Sequence, residues 1–189
     1  MRKFALPLLA LGAASLAACG GNDAAEEPAA DGMAMEGGAA SGAGESATAT
    51  LLTADGEEVG TVTATGSAGG ITIDVSAMNM PEGLHGVHVH TVGSCDDGFA
   101  AAGGHWNPDE SMHGLEGDDG QHAGDMPNLE IGADGTGSLT YMLAMSATFD
   151  GLMDEDGSAF IVHAGEDDQT TDPSGDSGDR IACGVFTAG

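Results

Sequence analysis

From Ala47 onward the chain is built of short apolar and polar alternations, broken repeatedly by glycine and aspartate. Ala47 to Thr53 and Glu58 to Thr65 flank Ala54-Asp55-Gly56-Glu57, which predicts a hairpin. Between Ile71 and Ala77, Ile, Ile and Val alternate with Thr, Asp and Ser, the signature of a strand with one buried face. Further strands are expected at His85 to Thr91, Gly137 to Ser146, Ala159 to Ala164 and Ile181 to Thr187, and no window has helical periodicity. Regularly spaced short strands with turn signals predict an all-β fold, an antiparallel sandwich or barrel. Val92 to Pro127 and Gly165 to Asp179 resist strand assignment, and long irregular loops in a compact domain are usually functional. Met78, Met80 and Met145 are expected in the core.

The N-terminus follows a different pattern. Arg2 and Lys3 precede the apolar run Phe4 to Leu11, and small residues lead to Leu16-Ala17-Ala18-Cys19. The run is too short to span a bilayer, so residues 1–18 are expected to be an export signal. Leu-Ala-Ala-Cys resembles a bacterial lipobox, which predicts a lipid on Cys19, a membrane anchor, and a domain in the periplasm or at the cell surface. The alternative is an ordinary secretory signal with Cys19 a free thiol. Of three cysteines, a lipidated Cys19 leaves Cys95 and Cys183 as one pair in an oxidising compartment. Residues 19–46 are mostly small or acidic and are expected to form a flexible tether. Met33 and Met35 within it could meet a soft cation such as Cu(I), or simply belong to the tail. Residues 47–189 suit one domain.

Charge narrows the partners. The chain has 3 Lys and Arg against 31 Asp and Glu. Loss of the signal removes Arg2 and Lys3, so Arg180 alone faces every acid. That balance disfavours nucleic acid and anionic lipid surfaces.

The chemistry lies in the histidines. His88 and His90 are two apart in Gly86-Val87-His88-Val89-His90, so in a strand both rings project to one face while Val87 and Val89 take the other. His85 shares the valines' parity and is expected to be a satisfied core histidine. His105, His113, His122 and Asp125 share one predicted loop, and three imidazoles with a carboxylate are the donors Zn²⁺ takes in a four-coordinate site. His163 closes Ile161-Val162-His163, and imidazole suits copper as well as zinc.

Together these residues resemble the copper/zinc superoxide dismutase family, in its bacterial lipoprotein form, over about Ala47 to Ala188. The resemblance implies a Greek-key sandwich of the immunoglobulin-like type, with one copper and one zinc per chain. It implies copper on His88, His90, His105 and His163, zinc on His105, His113, His122 and Asp125, and His105 as the bridge. Asp167 would link zinc-side and copper-side histidines, and Cys95 and Cys183 would form a disulfide. Gly178-Asp179-Arg180-Ile181-Ala182-Cys183-Gly184 is similar to the family's C-terminal signature. The implied activity is dismutation of superoxide to oxygen and hydrogen peroxide by alternate reduction and reoxidation of copper, protecting the cell envelope. A homodimer is compatible with this reading. The rivals are a metal-storing lipoprotein without turnover, a copper-only dismutase, which the zinc-type donors argue against, and a purely structural sandwich.

By the same resemblance Arg180 and His105 are the catalytic residues, Arg180 holding the superoxide anion. A unit-charge pair at about 4 Å is worth roughly 4 kcal/mol at an effective dielectric near 20. Carboxylates beyond a Debye length of about 8 Å are screened. Long-range steering is another matter, because Gly165 to Asp179 carries Glu166, Asp167, Asp168, Asp172, Asp176 and Asp179 and no lysine. Added salt is therefore expected to leave the catalytic rate unchanged or raise it, by screening net repulsion. Stopped-flow rates across ionic strength check this, and a marked fall from low to moderate salt contradicts it.

Overall fold

The computed structural model describes residues 44–117 and 120–189. The expected signal, Cys19, Met33 and Met35 lie outside these residues. Ten strands are described: β1 (Ser46–Leu52), β2 (Glu58–Ser67), β3 (Gly70–Ala77), β4 (Gly83–His85), β5 (Val87–His90), β6 (Leu129–Ile131), β7 (Gly137–Met142), β8 (Ala159–His163), β9 (Arg180–Val185) and β10 (Thr187–Ala188). The sheet runs β5-β8-β9-β1-β2-β3-β7, with β10 on β1, and β4 pairs separately with β6. Every strand pairing among the described residues is antiparallel. The fold is thus the expected all-β type, a curled antiparallel sheet.

Alternation decides which face is inside. In β1, Ala47, Ala49 and Leu51 are buried, and in β3 Ile71, Ile73, Val75 and Ala77 are buried while Asp74 and Ser76 are exposed. Each fully buried Val, Leu or Ile contributes roughly 1.5–3 kcal/mol relative to exposure. A one-residue slip would turn this whole row to solvent, so the pattern specifies the register. The expected hairpin turn forms, with Thr53 N–H donating to Glu57 O at 2.9 Å.

Four expectations need correction. His85 to Thr91 is not one strand. Gly86 separates β4 from β5, donating to Gly165 O and accepting from His163 N, each at 2.8 Å. A Cβ there would lie 2.8 Å from that of Ser177, so the chain changes partners where only glycine fits. The strand expected to Ser146 ends at Met142, and the three-residue β6 is too short to leave a periodic signal. Met80 is buried, but Met78 is 41% exposed, because it continues the outward parity of β3 after Ala77, and Met145 is 94% exposed beyond the end of edge strand β7. The one described α-helix, α1 (Phe149–Leu152), is a single turn capped by Thr148, consistent with the lack of helical periodicity.

The two long loops lie where expected, and among its described residues Val92 to Pro127 holds one short 3-10 turn, Ala100–Ala102. This loop covers edge strand β5 by backbone pairing. Val89 N–H donates to Gly124 O at 3.0 Å, and Val89 O accepts from Trp106 N–H at 2.8 Å. Strand β9 grips the same loop twice. Cys183 is disulfide-bonded to Cys95, and the Arg180 guanidinium donates to Phe99 O at 2.5 Å and Gly103 O at 2.6 Å. Beneath this part of the loop Phe99, Ala102, Ala159 and Ile161 form a small apolar cluster with Cys183. A cross-link closing 88 residues restricts the unfolded chain by about 4–5 kcal/mol in the chain-entropy account.

Candidate metal centre

Strand β5 presents its two histidines as its parity requires. Val87 and Val89 join the main core, while His88 pairs with Ile161 and His90 with Ala159 on the other face. Strand β8 ends in His163, which is opposite Arg180 in the β8–β9 register. The loop strapped over β5 contributes His105, bridged to His90, and Asp125, bridged to His88. His85 points inward as expected: it is buried, and its Nδ1 and Nε2 lie 2.8 and 2.9 Å from the carbonyl oxygens of His163 and Pro81.

The six remaining histidines converge, and hydrogen-bond acceptors decide which nitrogen each can offer. His88 donates Nε2–H to Asp167 Oδ2 at 2.6 Å, His90 donates Nδ1–H to Gly103 O at 3.0 Å, and His163 donates Nδ1–H to Gly178 O at 3.0 Å. His105 turns Nδ1 toward Asp125 Oδ1, 3.0 Å away. Four buried ring nitrogens then have no partner: His88 Nδ1, His90 Nε2, His105 Nε2 and His163 Nε2. Ligand atoms of these four residues lie within 4.8 Å of one another. Buried polar atoms are nearly always satisfied, so four orphaned lone pairs aimed at one another mark a cation site. An all-imidazole set suits copper.

The adjoining group has a different geometry. The Nδ1 atoms of His105, His113 and His122 lie 3.0, 3.1 and 3.3 Å from Asp125 Oδ1, and His122 Nδ1 is 3.3 Å from His105 Nδ1. A tetrahedron with metal–donor distances of about 2.0–2.1 Å has edges of roughly 3.3 Å, so this set fits zinc. The ligand atoms of His88 also fall near His105, His113 and Asp125. Nonetheless His88 Nε2 is held by Asp167 and its Nδ1 belongs to the first cluster, so His122 is the better fourth donor. His113 gives Nε2–H to Asp167 Oδ1 at 3.1 Å, which turns a neutral ring's Nδ1 lone pair toward a carboxylate oxygen. Either a proton or a divalent cation has to lie between them.

The ring of His105 is shared, with Nδ1 in the zinc-type set and Nε2 in the copper-type set. Asp167 also spans both, bonding His88 and His113. Its backbone is clamped by Asn128, which donates to Asp167 O at 2.9 Å and accepts from Asp167 N at 2.8 Å. Gly175 sits so close that a Cβ would collide with Asp167 Oδ1 and lie 2.9 Å from His113 Nε2. Neither Asn128 nor Gly175 is singled out by sequence reasoning, and neither are the carbonyls of Gly103 and Gly178. Backbone acceptors leave no sequence signal, and a single Asn or Gly has no recognisable spacing.

Burial lowers His88 to about 3, His90 to about 2 and His163 to about 4, and it lowers His105 as well, so these rings stay neutral, as ligands must. Burial also opposes charge on His113, but its bonds to Asp125 and Asp167 outweigh this and push it up to about 9. Asp125 and Asp167 are held well below the usual carboxylate range; burial opposes this, and their histidine partners prevail.

Residues 58–186 match the copper/zinc superoxide dismutase (SODC) family. A superoxide dismutase-like protein of Bacillus subtilis is 43% identical over 123 residues, 62% of this chain and 63% of that relative. A copper/zinc superoxide dismutase of Aquifex aeolicus is 35% identical, covering 72% of this chain and 85% of its own length. Among solved structures, the Brucella abortus copper/zinc superoxide dismutase matches with a TM-score of 0.62 at 36% identity, over 76% of this chain and 100% of the other.

The shifted groups predict how the metal-free protein responds to pH. His88, His90 and His163 have folded values below their ordinary 6.5, so the unfolded chain takes up protons first, and stability falls as pH drops from 6.5 through about 4 for His163, about 3 for His88 and about 2 for His90. Asp125 and Asp167 add to the loss as pH falls below their ordinary 3.8. His113 has the opposite sign: its contribution is complete below 6.5 and is lost as pH rises through about 9. Thermal unfolding of metal-free protein at constant ionic strength should therefore be hardest near pH 6.5. A melting temperature that rises on acidification from there to pH 4.5 contradicts the assignment.

Proposed function

This chain belongs to the copper/zinc superoxide dismutase family, enzymes that dismute superoxide with copper and zinc, and from that premise we propose how its own residues divide the work. The observation that carries the proposal is the set of four orphaned imidazole nitrogens beside a tetrahedral donor set, the two joined through one ring. His88, His90, His105 and His163 would hold copper, and His105, His113, His122 and Asp125 would hold zinc. Copper, when bound, would supply one-electron redox chemistry, and zinc would supply a fixed positive charge beside it.

Two superoxide anions and two protons give one O₂ and one H₂O₂. The residues here bring the anion in, keep the donor nitrogens free of protons and handle a proton. Arg180 lies across from His163 in the sheet, and its charge reaches both His90 and His163. Two of its N–H bonds are spent on Phe99 O and Gly103 O, which fixes the guanidinium and leaves other donors for an anion. Because Gly103 O also receives His90 Nδ1–H, one carbonyl aligns the docking group with a donor ring. His105 Nε2 is the atom suited to take up a proton and return it to the reduced product, since Nδ1 of that ring faces Asp125.

The chain's place in the cell belongs to the same proposal. A lipid on Cys19, with residues 19–46 as tether, would hold the enzyme at a bacterial membrane with its domain in the periplasm or at the cell surface. It would there remove superoxide from the envelope.

The test is a pulse-radiolysis or nitro blue tetrazolium assay on protein loaded with copper and zinc, with metal content measured by mass spectrometry. Turnover is expected at one copper and one zinc per chain, and full metal without turnover would instead describe a metal store. In the same assay Arg180→Ala should cost tenfold or more in rate, about 1.4 kcal/mol, with both metals retained. That is well within the roughly 4 kcal/mol of a 4 Å pair at an effective dielectric near 20, as suits a partly exposed side chain. An unchanged rate removes the docking role.

A further inference from the structure

The acceptors of five of the converging histidines are accounted for above, and His122 is the one whose outer nitrogen is not. With Nδ1 turned to Asp125, its Nε2 faces outward and lies 3.8 Å from Asp172 Oδ1. The same Oδ1 accepts the backbone N–H of His113 at 3.0 Å. One carboxylate oxygen thus touches the main chain of one zinc-side histidine and faces the outer ring nitrogen of another. Asp172 lies five residues after Asp167 in Gly165 to Asp179, so a single loop supplies an acid to each of the two outer nitrogens on this side.

We propose that Asp172 is a positioning residue for zinc, its charge orienting the His122 ring while its oxygen anchors the His113 backbone. Ligating histidines usually present their second N–H to a carboxylate or carbonyl, which fixes the ring and raises the basicity of the ligating nitrogen. At 3.8 Å the contact is an electrostatic one, longer than a hydrogen bond, so charge and not acceptor geometry is what His122 receives. Asp172 is 42% exposed, unlike Asp167 at 0%, so the His122 side of the centre is held by the weaker and more solvated of the two acids.

The inference rests on the zinc assignment and not on turnover, and its test separates the two. Asp172→Asn and Asp172→Ala are compared with the unsubstituted full chain. Zinc affinity is read by competition with a chromophoric chelator, and visible absorption is recorded with Co(II) in the zinc position. Circular dichroism checks that the sheet is kept. Asn retains an acceptor for His113 N–H but carries no charge. It should weaken zinc about tenfold and shift the Co(II) bands, within the 10–100-fold range for such partners. Ala should weaken zinc at least as much. Wild-type affinity and an unaltered cobalt spectrum in Asp172→Asn overturn the proposal, even if Ala is impaired, because the acid would then be only a backbone anchor. A wild-type protein that binds zinc but lacks dismutase activity would sink the functional reading and leave this result standing.

Discussion

A neutral imidazole has one N–H and one lone pair, and inside a protein the N–H must find an acceptor. The centre depends on this constraint. Asp167, Gly103 and Gly178 take the N–H groups of His88, His90 and His163, and each ring is thereby committed to pointing its lone pair at the others. Burial removes the escape of protonation by holding these three rings far below their ordinary value. The result is a cluster of unpaired lone pairs aimed at one another, as a bound cation requires. Left empty, it costs the fold stability.

The sheet exists, from this viewpoint, to bring acceptors and rings together across long stretches of chain. Strand β5 contributes two rings, β8 one, and the covering loop three and a carboxylate, while the loop before β9 supplies Asp167. Strand β9 then ties the covering loop down twice, through Cys183 to Cys95 and through Arg180 to Phe99 O and Gly103 O. The second tie also sets the carbonyl that orients His90. The residue proposed to dock the anion is thus part of the scaffold holding a donor. The chain has three cations and has placed one here, among 31 acids. Five of the six acids between Gly165 and Asp179 are exposed, with Asp167 buried.

Much of this is legible in the amino acids, because period-two burial and side-chain donors leave direct traces. The alternation in Ile71 to Ala77 and the His-Val-His of β5 specify faces by parity alone, and they place His88 outward of the main core, while His85 is inward although Gly86 interrupts the strand on which its parity is reckoned. The donors also announce themselves by residue type. What stays hidden is whatever depends on backbone or on three-residue elements. Gly86 reads as a strand residue, but its contacts with Ser177 and Gly165 come from a distant loop. Residues β6 and Asn128 carry no periodic signal, and the carbonyls of Gly103 and Gly178 are invisible in any side-chain pattern. Hydrophobicity predicts Met78 and Met145 inside, yet parity and the end of an edge strand put them outside.

The central claim is that the ring of residue 105 is shared by two different ions, one on each nitrogen. Anomalous diffraction collected at the copper and zinc edges, on crystals of the loaded protein, tests it most directly. The expected result is a copper peak bonded to His105 Nε2 and a separate zinc peak bonded to His105 Nδ1. A single mixed peak, or a pair of ions that do not share that ring, would contradict it.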